Sequence, residues 1–80
     1  MDYIAEFLTN NPDKKAITKK FKISWDVSRP KEEADETAIK HSKYYVQQHE
    51  YNNPGEACVL EKIYWLEKGK EAVLIYPKPE

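Results

Sequence analysis

Three kinds of side chain here are able to do chemistry, and their spacing decides how much. His41 and His49 are the two histidines, and Cys58 is the single cysteine. A histidine beside a thiol can activate a nucleophile, because the imidazole takes the proton and the thiolate attacks. No flanking signature accompanies Cys58, and a cysteine opening an apolar run usually serves as a small hydrophobe. The histidines lie two helical turns apart, beyond the i, i+4 spacing at which two imidazoles share a metal. His41 then reads as part of a helix's apolar face. His49 reads as a base near a helix C-terminus, where the backbone dipole welcomes positive charge.

Glu32, Glu33, Asp35 and Glu36 form the second cluster. Carboxylates ligate hard cations, but these lack the glycine-containing loop of an EF-hand. A solvated first turn of a helix accounts for them. The two glycines, Gly55 and Gly69, are too few for a phosphate-cradling loop. The expectation is therefore no catalytic residue, no metal and no cofactor.

Two further sets point to binding. Lys14, Lys15, Lys19, Lys20 and Lys22 crowd one stretch and suit phosphate. Single-strand binders need aromatic platforms on the same surface as the bases. Strand alternation would put Lys20 and Lys22 on one side and Phe21 and Trp25 on the other, which weakens that reading. The aromatic content is the second set: 12%, with six tyrosines and two tryptophans. A core of this size cannot enclose them all, and Tyr and Trp anchor protein interfaces. The predicted surface is the segment 59–76, with Tyr64, Trp65 and Tyr76 as anchors and Lys62 and Lys68 on a polar rim.

The elements that position these residues follow from periodicity. Asp2–Thr9 reads as a short amphipathic helix, with Tyr3, Ile4, Phe7 and Leu8 on one face. Asn10-Asn11-Pro12-Asp13 breaks it. From Ile17 to Val27 the apolar residues Ile17, Phe21, Ile23, Trp25 and Val27 occupy odd positions, the pattern of a half-covered strand. Residues 30–50 read as a long helix, with Pro30 in the first turn, acids at its start and Lys40 and Lys43 later. Ala34, Ala38, His41 and Tyr45 form its inner stripe.

Pro54-Gly55 suits the centre of a type II turn. Residues 57–66 and 71–76 read as a hairpin turned at Gly69. Both runs are apolar on both parities, so the sheet's second face is either covered, for instance by the N-terminal helix, or meets a partner. Residues 77–80 read as an extended tail. The expected fold is one α+β domain over 1–80. Its short N-terminal helix, strand, long helix and β-hairpin make a three-stranded, mainly antiparallel sheet under the long helix.

If residues 12–24 were helical instead, three helices and a hairpin would be similar to a winged helix-turn-helix domain of DNA-binding proteins. The order of elements carries that likeness, not a motif. Lys22 and Thr18 stand where such a motif favours glycine and a small residue, and the acids 32–36 would face phosphate.

Eighty residues make one domain, with a thin stability margin. The net charge of -1 argues against binding to nucleic acid by bulk electrostatics. The charge is uneven, however: residues 1–31 are basic and residues 32–56 acidic. A lone cysteine forms no internal disulfide and favours a reducing, cytoplasmic setting. The N-terminus lacks the pattern of a signal peptide, and no run is long enough to span a bilayer. The expected function is a small non-enzymatic protein-interaction module: an adaptor, an inhibitor or a homo-oligomer subunit. Its size suits a protein of a virus or mobile element. The alternative is a winged-helix regulator binding nucleic acid through the lysine-rich segment.

Overall fold

The computed structural model describes residues 1–13 and 15–77. Its elements run β1 (Asp2–Thr9), β2 (Ala16–Lys22), α1 (Lys31–Asn52), β3 (Cys58–Leu66) and β4 (Val73–Tyr76). The strands form one four-stranded antiparallel sheet in the order β2-β1-β3-β4. The α+β class and the long helix are as expected. The sheet has four strands rather than three, because the segment expected to be an N-terminal helix is β1.

The physical reason lies in the period of residues 2–9. Tyr3, Ala5 and Phe7 alternate with Ile4, Glu6 and Leu8, so both parities are largely apolar and a helical spacing fits as well as a strand. An isolated helix of eight residues is marginal in water. As a strand, the same segment pairs from Asp2 to Leu8 with β2 and along its whole length with β3. It becomes a central strand, and Tyr3, Ala5 and Phe7 go into the core.

β2 stops at Lys22 rather than Val27. Its ladder partner runs out, since Asp2 is opposite Lys22. One more exchange follows, with the Ile23 N–H donating to the Met1 carbonyl at 2.8 Å and the N-terminal ammonium donating to the Ile23 carbonyl at 2.8 Å. Asp26 then turns the chain, its carboxylate accepting the Ser28 N–H at 2.9 Å. That bond holds the Asp26 carboxyl below its ordinary value. Val27, expected inside, is 99% exposed.

α1 packs mainly on β3. Its buried stripe is Ala34, Ala38 and Ser42, small residues that let the helix lie close to the sheet. The Ser42 hydroxyl is satisfied by donating to the Ala38 carbonyl at 2.9 Å. His41, expected on this stripe, is exposed at its edge, with its ring 4.6 Å from that of Phe21. After α1 the chain turns at Asn53–Glu56, closed by the Glu56 N–H on the Asn53 carbonyl at 3.0 Å. Gly55 takes the positive φ of 88° that a type II turn needs at its third residue. The β3–β4 turn repeats the device, with Gly69 at φ 78° and the Lys70 N–H on the Glu67 carbonyl at 3.0 Å.

Among the described residues α1 is the one helix, so the three helices of a winged domain are not formed. Residues 16–22, which that arrangement needs as helix, are β2. Lys78, Pro79 and Glu80 of the expected tail lie outside the described residues, as does Lys14.

Candidate interaction surface

The core forms on one face of the sheet. Tyr3, Ala5, Phe7, Ile63, Ile75 and Cys58 pack there under Ala38 of α1. β2 contributes Ile17 and Phe21 at its rim. The Tyr3 hydroxyl donates to Asp35 at 2.9 Å, and Asp35 also accepts from the Lys31 ammonium at 2.8 and 3.0 Å. Burial first, and then the Asp35 carboxylate, push the Tyr3 hydroxyl well above an ordinary tyrosine.

Residues able to do chemistry are absorbed into this layer. Cys58 is buried, and burial, Glu50 and Glu56 all push its thiol up, so the thiolate is disfavoured. His49 faces Glu56 at 3.3 Å rather than a nucleophile. Among the described residues no three His, Cys, Asp or Glu side chains come together as a metal site.

The predicted anchors are divided between the two faces. Trp65 pairs with Tyr3 across the ladder and so lies on the helix side. There it packs against the core with the Lys31 ammonium 4.3 Å from its ring centre. Tyr76 also packs against the core. Tyr64 and Lys62 project from the opposite face, opposite Ile4 and Glu6. Lys68 is exposed in the β3–β4 turn, apart from both.

The lysines divide the same way. Lys19, opposite Ala5, is on the helix side, its ammonium 5.5 Å from the Tyr45 ring centre. Lys20 and Lys22, opposite Ile4 and Asp2, join the other face. Lys15 is exposed in the β1–β2 connection, where its carbonyl accepts the Thr9 N–H at 2.9 Å.

That second face is the notable surface. No described element covers it. Register and alternation place four cross-strand rows on it. The first is Lys22, Asp2 and Leu66; the second is Lys20, Ile4, Tyr64 and Leu74. Thr18, Glu6 and Lys62 make the third, and Ala16, Leu8 and Val59 the fourth. Val59 is 60% exposed and Leu8 43%, while Ile4, Tyr64, Leu66 and Leu74 are half-buried among their neighbours.

Sequence reasoning did not place Ile4 and Leu8 on this face, and it covered Val59, Leu66 and Leu74 only as part of the segment 59–76. Their signal was the two-sided apolar pattern of β3 and β4, which asked for a cover on each face. A helix over residues 2–9 would have supplied the second cover; as a strand, the segment widens the bare face instead.

No family model matches this chain, and neither a curated protein nor a solved structure does. Among the described residues no helix is long and apolar enough to cross a membrane.

Proposed function

We propose that the chain is a small non-enzymatic protein-interaction module that binds a protein partner through the open face of its sheet, with Tyr64 at the centre. The observation that carries this is the uncovered apolar area of Ile4, Tyr64, Leu66 and Leu74, with Leu8 and Val59 on the same face beyond the Glu6 and Lys62 row. Contiguous apolar surface left to water on so small a domain is costly, and binding sites are where it persists. Lys20, Lys22, Lys62, Asp2 and Glu6 interleave the patch and supply the charge pattern that orients a partner. Lys68 serves as a peripheral contact at the hairpin tip. Trp65 and Tyr76 act from the helix side by holding β3 and β4 in place, not as anchors. A lone buried thiol suits a reducing compartment, and we place the protein in the cytoplasm.

The test is retention from a nuclease-treated native lysate on immobilised chain. Comparison of the wild type with Leu8→Asp and Tyr64→Asp, and with Tyr51→Asp on α1 as a control, isolates the face. Loss of the same protein in the two face variants alone supports the reading. Equal retention by all three variants contradicts it.

A second reading is favoured by one observation: Tyr64 shares the open face with Lys20 and Lys22. An aromatic platform beside two cations suits single-stranded nucleic acid. It predicts that retention collapses with nuclease and with Lys20→Ala/Lys22→Ala, and that affinity falls steeply with salt.

A further inference from the structure

We infer that the open face is self-complementary and that its occupant is a second copy of this chain, docked face to face about a two-fold axis parallel to the strands between β1 and β3. This rests on the reading of that face as a protein-binding surface.

The order of residues along the rows fits this axis. A two-fold axis parallel to the strands keeps each row at its own height and exchanges the β1 column with the second copy's β3 column. Ile4 then lies over Tyr64 and Leu8 over Val59, apolar on apolar. Glu6 lies over Lys62, and Lys62 over Glu6. The two central charges form an alternating square, each acid beside one base in its own sheet and facing another across the interface. Among the described residues neither Glu6 nor Lys62 has an ion-pair partner within 4.0 Å in its own chain.

The alternative in-plane axis, across the strands, reverses the rows. It sets Ile4 on Glu6 and Tyr64 on Lys62, burying charge against hydrocarbon without a partner. The row order therefore selects one of the two arrangements.

The outer columns fit the same axis. Lys20 of β2 crosses the second copy's Leu74, where its methylene stem covers the leucine while the ammonium reaches water. Asp2 meets Leu66, the one mismatch, and it sits at the rim beside its own Lys22. Packed sheets cross by about 30°. That rotation displaces the corners most and the central rows of Ile4, Tyr64, Glu6 and Lys62 least.

Strands of 8, 7, 9 and 4 residues, at about 3.3 Å per residue and about 4.8 Å apart, give a footprint of roughly 440 Å² per copy. Side-chain relief adds to this and brings the pair to the roughly 1,000 Å² expected of a biological interface. The assembly would be a four-layer stack of helix, sheet, sheet and helix.

The experiment is sedimentation equilibrium of the full purified chain, with absorbance confirming the absence of nucleic acid. Wild type is compared with Glu6→Lys, with Lys62→Glu, and with an equimolar mixture of the two variants. Wild type is expected to dimerise with a Kd below about 10 μM. Each variant alone sets four like charges together and loses at least about 100-fold in affinity. The mixture restores association, because a chain with lysine at positions 6 and 62 faces one with glutamate at both. The like-charged pairs within each chain remain in the mixture, so recovery reports the contact between chains and not repaired folding. Circular dichroism of each variant confirms that both are folded.

A monomeric wild type, or folded variants that fail to associate on mixing, overturns the inference. If the wild type is monomeric yet Tyr64→Asp still abolishes retention of a different protein, the second copy is wrong and the interaction surface stands. If Tyr64→Asp has no effect either, both fall.

Discussion

The two faces of the sheet share one set of strands and differ in what lies over them. On the helix side, odd positions of β1 carry Tyr3, Ala5 and Phe7, all essentially inaccessible to solvent. On the open side, even positions carry Asp2, Ile4, Glu6 and Leu8, with charges interleaved among the apolar groups. The helix side is apolar because α1 excludes water there, and its few polar groups are bonded, Tyr3 to Asp35 and Ser42 to Ala38. The open side is apolar without such a cover. Fold stability resides in the first face, and the second is the one to which we assign the proposed association.

The largest expected effect breaks the first face. Phe7→Ala removes a ring packed 4.7 Å from that of Tyr45 and should cost about 3–5 kcal/mol. A domain this small has little more than that to lose, so urea denaturation should find the variant largely unfolded. On the second face, Val59→Thr should change the unfolding free energy by no more than about 0.5 kcal/mol in the same measurement. Equal effects at the two positions would dissolve the distinction between the faces.

Tyr3→Phe is the next smaller change. It removes one hydrogen bond from a half-buried carboxylate and should cost about 1–2 kcal/mol by denaturant melt. The same contact sets an alkaline limit. The folded state holds the Tyr3 proton above the ordinary value of 10.0, by burial first and Asp35 second. Its contribution is therefore complete below pH 10 and is lost as pH rises beyond that value, where the unfolded chain ionises and the folded one does not. Wild-type stability should fall with pH above 10 more steeply than that of Tyr3→Phe. Parallel curves would remove Tyr3 from the account.

Gly69→Ala tests the hairpin that carries Tyr64. Open space surrounds the added methyl, so the cost is backbone strain at φ 78°, about 1 kcal/mol. A thermal melt shifted down by a few degrees is expected, while a neutral result would mean that the turn relaxes.

How much of this was legible depends on how many signals converged at each place. α1 had its boundary proline, its acids first and its bases later, and small residues in register. Both turns had glycine where a positive φ was required. Residues 2–9 had only hydrophobic spacing, which fits either period, and neighbouring strands far along the chain settle the choice. Val27 continued an alternation whose ladder partner had already ended. The open face is half legible: two-sided apolar strands signal that something must cover it, but residues 2–9, whose spacing also fits a helix, offer that cover. Residue type alone makes Trp65 and Tyr76 candidate anchors, yet strand parity relative to Tyr3 and Ile63 turns them to the helix side.

The most direct measurement is broadening of methyl signals by a soluble paramagnetic agent, in dilute protein and in concentrated or partner-bound protein. Leu8 and Val59 report the open face, and Val27, 99% exposed in the connection between β2 and α1, is the internal control. Leu8 and Val59 should become protected as association proceeds while Val27 stays fully broadened. Leu8 and Val59 broadened as in dilute protein under every condition would contradict it.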